Sequence, residues 1–183
     1  WGPRPFLAQL IARADLWGCL FRLRSLAETG LPSDLPYQLI TAGVSVITGA
    51  IALAAFALLF NWAAAGLMII ALFIHELGHL LAYRLMGQPW GRMIFLPFLG
   101  AMAIPRLPFD SQAQGVFAAL MGPGFSVLLA VVCASHVFFD GTLSAVLVIM
   151  GLITAALNIF NLLPVEPLDG GVALRSVLAR YMG

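Results

Sequence analysis

The sequence contains no lysine and few charged residues of any kind. Of its 183 residues, 9% are charged and 62% are hydrophobic, whereas soluble proteins average roughly 25% charged residues. A water-soluble domain of this composition would expose too much apolar surface. The formal net charge is +1 and no basic stripe exists, so the positive surface that nucleic-acid binding requires is absent. The composition excludes a nucleic-acid partner and indicates a protein whose solvent is lipid.

Cysteine is also scarce. Cys19 and Cys133 form no C-x-x-C pair, so the sequence indicates neither a disulfide framework nor a thiolate zinc site. The first thirty residues lack the long apolar run of a signal peptide, because arginines interrupt them. The chain begins with Trp1 and ends at Gly183 inside a helical pattern, so we expect a sequence truncated at the C-terminus.

Four apolar stretches are long enough to cross a bilayer, which takes about 20 residues. They are residues 37–60, 63–86, 115–139 and 142–163. The second stretch contains a cluster of ionisable side chains, His75, Glu76 and His79. Because charges are costly inside a membrane, this cluster indicates a functional site.

Two other segments are apolar but do not fit a crossing. Residues 93–104 are too short and contain Pro97 and Gly100, which predicts a re-entrant or β-like segment between the second and third spans. Residues 4–27 mix apolar residues with arginines at helical spacing, typical of an amphipathic helix in the headgroup plane; a cytosolic helix packed on the protein is equally compatible.

The predicted fold is therefore an all-α integral membrane protein with about four transmembrane helices. It has an N-terminal interfacial helix and linker over residues 1–36 and a membrane-embedded core over residues 37–183. With four spans, all nine basic residues fall on one side of the membrane. The positive-inside rule makes that side cytoplasmic. We predict a multi-pass protein of a bacterial plasma membrane with both termini in the cytoplasm.

The sequence His75-Glu-Leu-Gly-His79 is an H-E-x-x-H motif. Residues four apart share one face of a helix, so the two imidazoles can bind one zinc ion. Glu76 can then lie beside the metal without binding it and can take a proton from the attacking water. The alternative is that the three side chains only hydrogen-bond to neighbouring helices. The position inside an apolar span favours the metal site.

A catalytic zinc site needs a third protein ligand and an open fourth position. Asp169 and Glu166 both follow the fourth span on the cytoplasmic side, whereas Asp140 is on the opposite side and Asp110 is in a loop. Asp169 is the favoured candidate, and Glu166 is the alternative.

The H-E-L-G-H motif at 75–79, followed by N-L-L-P-V-E-P-L-D-G at 161–170, resembles the site-2 protease family of intramembrane metalloproteases. The resemblance implies that Asp169 is the third zinc ligand, that Glu76 is the general base, and that Asn161 helps to hold the substrate strand. For Asn161 an interhelical hydrogen bond is the alternative role. The sequence G-P-G-F-S at 122–126 looks like the family's G-P-x-x-N/S element, in which small residues would permit close helix packing.

A simple helical picture conflicts with this ligand set. Measured from the outer face, the two histidines lie roughly 20 to 26 Å deep, whereas a continuous fourth helix would carry Asp169 to about 40 Å. We therefore predict that the chain unwinds around residues 163–168, where Pro164 and Pro167 disfavour helix. A straight helix through residue 170 would favour Glu166 or no third ligand.

The predicted function is an intramembrane zinc metalloendopeptidase, acting in regulated proteolysis on substrate proteins that have a transmembrane helix. Three other functions are the alternatives. A membrane zinc peptidase with a helical glutamate ligand lacks the required later motif. A transporter would show sites in repeated halves, which this sequence does not. A catalytically inactive membrane binding protein on the same fold stays compatible with the sequence.

Overall fold

The structure of the protein is a computed structural model that describes residues 35–140 and 145–182. Over these residues the chain forms five helices and one hairpin: α1 (Leu35–Leu59), α2 (Trp62–Leu85), β1 (Arg92–Leu96), β2 (Gly100–Ile104), α3 (Gln112–Asp140), α4 (Ala145–Asn161) and α5 (Asp169–Met182). The interfacial helix predicted over residues 4–27 lies outside the described residues.

Three of these helices, α1, α2 and α3, are long and apolar enough to cross a bilayer. They coincide with the first three predicted spans, and their outward side chains are apolar: Leu58 of α1 is 85% exposed and Val131 of α3 is 58% exposed. The chain is a membrane protein. The fourth predicted span corresponds to α4, which has 17 residues, fewer than the about 20 of a full crossing. The fourth crossing stays a prediction.

The segment predicted to be re-entrant or β-like contains an antiparallel hairpin, paired along its full length. The outer edge of β1 contacts α1, where the Ser45 hydroxyl donates to the Met93 carbonyl at 2.6 Å. The Phe95 N–H donates to the Thr48 hydroxyl at 3.2 Å. Unpaired backbone groups are costly in an apolar medium, and these two hydroxyls satisfy such groups on the β1 side. The other edge of the hairpin is β2, which packs against α2.

Helix α2 lies at the centre of the described structure and packs against α1, α3, α4 and β2. It approaches α3 closely at Gly78, where an added Cβ would lie 2.3 Å from the Met121 carbonyl oxygen. Only glycine permits this contact, so the two helices meet at their backbones. The face of α2 that carries the H-E-x-x-H motif is thereby turned towards protein.

Between α4 and α5 the chain leaves helical geometry over residues 162–168, in the region where the sequence predicts unwinding. Pro164 and Pro167 lie in this segment and have no N–H for a helical hydrogen bond. Helix α5 begins at Asp169, earlier than the predicted start at Val172. A carboxylate in the first turn is favourable at a helix N-terminus, and the Val172 N–H bonds the carbonyl of the residue four before it.

Two glycines allow α5 to pack against the unwound segment. A Cβ on Gly170 would lie 2.2 Å from the Leu162 carbonyl oxygen, and one on Gly171 would lie 2.4 Å from the carbonyl carbon of Val165. These neighbours are backbone atoms, which cannot rotate away as a side chain can. Glycine is therefore required at both positions, and this packing turns Asp169 back towards α2.

Candidate metal centre

His75, Glu76 and His79 lie on the inner face of α2. Their exposed fractions are 1%, 4% and 6%, and one ligand atom from each lies within 4.8 Å of the others. The two imidazoles are one helical turn apart and meet edge to face, with ring centroids 5.0 Å apart. The spacing of the motif therefore produces the convergence that the sequence predicts for this helix.

Asp169, at the first residue of α5, contacts both imidazoles. Its Oδ2 lies 2.9 Å from Nε2 of His75, and its Oδ1 lies 3.3 Å from Nε2 of His79. The two Nε2 atoms are 3.3 Å apart. The structure thus brings together the three side chains that the sequence predicts as zinc ligands, although Asp169 is 94 residues from His75 along the chain.

These separations fit one tetrahedral metal ion. Two donor atoms that bind the same zinc ion at about 2.0–2.1 Å lie about 3.3 Å from each other in tetrahedral geometry. The two Nε2 atoms lie 3.3 Å apart, and each contacts a different oxygen of the Asp169 carboxylate, Oδ2 at 2.9 Å from His75 and Oδ1 at 3.3 Å from His79. Two imidazoles and one carboxylate are also a donor set that zinc uses in catalytic sites. The residues present therefore fit the metal that the sequence implies.

Two donor sets are available around the imidazoles, one completed by Glu76 and one by Asp169. Glu76 is within 4.8 Å of both histidines, but Asp169 directly contacts both Nε2 atoms. The Glu76 carboxylate has a hydrogen bond with the backbone of Ala103 in β2, and within the part of the chain that the structure describes its Oε2 has no hydrogen-bond partner. Direct contact favours Asp169 as the ligand and leaves Glu76 with a free oxygen beside the metal position.

Asp169 lies outside the three helices that are long and apolar enough to cross a bilayer, in a largely buried position. Burial alone would raise the pKa of its carboxyl group, but the hydrogen bonds and charges of His75 and His79 outweigh it and hold that pKa below the ordinary value. The group is therefore ionised at neutral pH, as a carboxylate ligand must be.

Each imidazole also has a contact on the side away from Asp169. Nδ1 of His79 lies 2.8 Å from the Ala118 carbonyl oxygen, so this nitrogen carries the proton and donates it. Nδ1 of His75 lies 3.4 Å from the Ser126 hydroxyl. With protons on both Nδ1 atoms, the lone pairs of both Nε2 atoms face Asp169, as metal ligation requires.

Gly122 brings α3 against the second histidine. A Cβ at this position would lie 2.1 Å from Nε2 of His79, the atom that would bind the metal. At the nearby Gly124, no atom of the described residues would lie within 4 Å of such a Cβ. Of these two glycines in the G-P-G-F-S element, only Gly122 is needed for close packing at the site.

The two remaining candidates lie apart from this cluster in different ways. Asn161, the last residue of α4, donates from Nδ2 to the Leu157 carbonyl in its own helix at 3.1 Å, and its predicted contact with substrate stays a prediction. Glu166 is half exposed and pairs with Arg175 at 2.8 Å. The alternative ligand therefore forms an ion pair on the surface, away from the imidazoles.

Sequence reasoning missed Asn158, which is buried and contacts the Ser126 hydroxyl at 2.6 Å. It lies one helical turn before Asn161 and has no motif of its own. A usable signal was its position: a polar side chain inside an apolar helix is expensive unless it is paired.

Comparison with known proteins points to the same family as the two motifs. The model of peptidase family M50 matches residues 135–183. A zinc metalloprotease of Methanocaldococcus jannaschii is 28% identical over 120 residues, which are 64% of this chain and 34% of that protein. A Synechocystis protein provisionally named a zinc metalloprotease is 30% identical over 112 residues, which are 60% of this chain and 29% of that protein.

The fold has a counterpart among solved structures. The site-2 protease from Methanocaldococcus jannaschii aligns with a TM-score of 0.56 at 24% identity, over 75% of this chain and 65% of that one. The chain spans about a third of the length of the curated relatives it matches. The two motifs, the family match and these relatives all point to the site-2 protease family, peptidase family M50, as the family that this chain resembles.

Proposed function

We propose that this chain is the catalytic core of an intramembrane zinc metalloprotease. The observation that carries the proposal is the convergence of His75 and His79 of α2 with the Asp169 carboxylate of α5, whose contacting atoms lie 2.9 to 3.3 Å apart. Oε2 of Glu76, which has no hydrogen-bond partner among the described residues, lies beside them. His75, His79 and Asp169 would hold the metal. The names of the curated relatives support zinc as the ion.

Glu76 is the proposed general base and acid. Zinc, when bound, supplies a water of lowered pKa, about 7, and polarises the scissile carbonyl. The carboxylate of Glu76 takes the proton of that water and later gives it to the leaving amine. The hydrogen bond between the Glu76 carboxylate and the Ala103 backbone holds one carboxylate oxygen, so that the other oxygen can accept the proton of the water.

The proposed substrate is a membrane protein with a transmembrane helix. A helical segment has its carbonyl groups occupied by internal hydrogen bonds, so it must become extended before a peptide bond can enter the site. An extended segment needs new partners for its backbone groups at membrane depth. Pairing with the exposed edge of a strand provides them.

The edge of β2 that faces away from β1 lies beside the site, where β2 packs against α2. The Tyr83 hydroxyl of α2 donates to the Ala103 carbonyl at 3.2 Å, so the backbone groups of Ala103 point away from β1. Because backbone direction alternates along a strand, those of Ala101 point the same way. We infer that a substrate strand pairs with β2 at Ala101, next to Glu76.

This pairing has a direct test in the full chain. Ala101→Pro removes the N–H at the proposed position, whereas Ala101→Ser keeps it. We expect the proline variant to lose most cleavage of a model single-span substrate while it still binds zinc, and the serine variant to keep cleavage. Equal cleavage by the two variants would argue against pairing at this residue.

The orientation remains a proposal based on the arginines. All nine basic residues fall on one side if α4 crosses the membrane, which makes that side cytoplasmic. The break between α4 and α5 and the metal centre then lie nearer the cytoplasmic face. Labelling of single cysteines in the connection before α3 and at the C-terminus of α5, from each side of the membrane, would test this orientation.

The proposed activity is tested by two substitutions measured for both zinc content and cleavage. We expect Glu76→Gln to retain zinc and to lose cleavage by at least about 100-fold, the contribution of a general base. We expect Asp169→Ala to lose zinc as well, because only two protein ligands remain. Asp110→Asn, in the loop before α3, is the control and should leave both quantities unchanged.

The same experiment separates the enzyme from an inactive binding protein on this fold. A parent protein that binds zinc and cleaves no single-span substrate would contradict the proposed activity. Full cleavage by the Glu76→Gln variant would leave the proposed base without a role.

A further inference from the structure

A line of buried polar groups extends from the first histidine into the helix bundle. Ser126 of α3 is fully buried and Asn158 of α4 is 6% exposed. The Ser126 hydroxyl lies 2.6 Å from Oδ1 of Asn158 and 3.4 Å from Nδ1 of His75. Three helices, α2, α3 and α4, therefore each contribute one polar side chain to the same chain of contacts.

If His75 binds metal through Nε2, the direction of the hydrogen bond between His75 and Ser126 is fixed. Nδ1 then carries the imidazole proton and donates to the Ser126 oxygen. The single hydroxyl proton of Ser126 must go to another acceptor. Its candidates are the Gly122 and Pro123 carbonyls, each at 3.1 Å, and Asn158 at 2.6 Å, and the shortest contact favours Asn158.

We propose that Ser126 and Asn158 are positioning residues for the metal ligand His75. They hold its ring with the Nδ1 proton towards α3 and the Nε2 lone pair towards Asp169. The inference rests on the proposed function, because it assigns a purpose to the Nε2 lone pair. Hydrogen-bond partners of this kind fix the tautomer and orientation of metal-binding histidines.

The two histidines are thereby oriented by different means. His79 donates to a backbone carbonyl, that of Ala118, which no substitution of Ala118 would remove. His75 depends on a side chain, and that side chain depends in turn on Asn158. A side-chain substitution can therefore remove the contact that orients the His75 ring, but not the one that orients the His79 ring.

A neighbour on α4 shows that burial alone does not require such a line of contacts. Thr154, one turn before Asn158, is also fully buried, and its hydroxyl donates to the Met150 carbonyl of its own helix at 2.8 Å. The Thr154 hydroxyl thus has a hydrogen-bond acceptor within its own helix, as hydroxyls in membrane helices commonly do. Thr154→Val is therefore a matched control for a buried polar group on the same helix.

The test is metal affinity, measured in the purified full chain by competition with a chelator for Zn²⁺ and by the visible spectrum of bound Co²⁺. We expect Ser126→Ala to lower Zn²⁺ affinity by about 10- to 100-fold, the range found when such partners are removed, and to change the Co²⁺ spectrum. Asn158→Leu should lower affinity less, because the Ser126 proton can turn to a helix carbonyl. Asn158→Asp keeps an oxygen acceptor in place and should retain the parent's affinity.

The double variant Ser126→Ala/Asn158→Leu provides the decisive comparison. If Asn158 acts through Ser126, the double variant loses no more affinity than Ser126→Ala alone. Additive losses, or parent-like Co²⁺ spectra in all variants, would overturn the positioning role while the proposed function stands. A parent that binds neither metal would overturn both, and a loss in Thr154→Val equal to that in Ser126→Ala would reduce the effect to general packing.

Discussion

The two halves of the candidate metal centre are built in opposite ways. His75 and His79 come from one turn of an uninterrupted helix, α2, and are almost fully buried. Asp169 comes from the first residue of α5, after a non-helical segment, and its side chain is 17% exposed. A regular helix can therefore fix the spacing of two predicted ligands, whereas the position of the third predicted ligand depends on how the chain turns back.

Different glycines support the two halves. On the α2 side, Gly78 and Gly122 let α3 approach until backbone and imidazole touch. On the α5 side, Gly170 and Gly171 pack against backbone atoms of the segment that precedes them. Substitution of single glycines can therefore perturb one half of the centre at a time.

The largest effect on zinc affinity is expected from Gly122→Ala, which perturbs the α2 half. The new methyl group would lie 2.1 Å from Nε2 of His79, so the ligand atom itself must move. We expect zinc affinity to fall by more than about 100-fold, beyond the loss from removing a partner behind a ligand. Chelator competition measures this affinity.

Gly124→Ala is the matched control for that substitution, because it adds the same methyl group two residues away into open space. It should bind zinc like the parent. If both variants bound zinc equally well, the proposed contact between α3 and His79 would be wrong.

A smaller effect on zinc affinity is expected from Gly170→Ala, which perturbs the α5 half. The added Cβ would meet the Leu162 carbonyl oxygen at 2.2 Å, so α5 must shift and carry Asp169 with it. We expect zinc affinity to fall by about 10- to 100-fold, with the helix content unchanged by circular dichroism. Gly151→Ala, whose methyl would make an ordinary 3.7 Å contact with Cys133, should behave like the parent.

The smallest effect is expected from Glu166→Gln, which separates the two acidic candidates. Its ion pair with Arg175 is largely exposed, and such pairs contribute about 0–1 kcal/mol to stability. Zinc content should be unchanged and the melting temperature nearly so. Asp169→Asn, measured alongside, should lose zinc, because a neutral amide replaces the carboxylate. Loss of zinc in the Glu166 variant alone would make Glu166 the ligand.

Much of the fold could be predicted from the sequence because lipid restricts the choices. Long apolar runs predicted α1, α2 and α3, and the short run interrupted by Pro97 and Gly100 predicted a non-crossing segment, which contains the hairpin β1–β2. The start of α5 was predicted three residues late, since glycines normally disfavour helix. Here packing against residues 162–168 compensates for the two glycines after Asp169.

The candidate site was predictable to a lesser extent. The four-residue spacing of the histidines requires only a helix, so their convergence follows from the sequence. For the third ligand the residues favoured Asp169 but kept Glu166 as an alternative, and the family resemblance also implied Asp169. Asn158 belongs to no sequence motif, and its contact with Ser126 could not be predicted because it depends on how α3 and α4 pack together.

The sequence by itself determined that the protein lies in a membrane and that two imidazoles and a glutamate share one face of a helix, because apolar length and helical periodicity are local properties. Only the tertiary structure decided which carboxylate meets the imidazoles and which hydroxyl lies behind His75. Those contacts join residues many positions apart, and they depend on glycines that let backbones approach closely and on a break that reverses the chain. Such distances are set by packing, which no local pattern encodes.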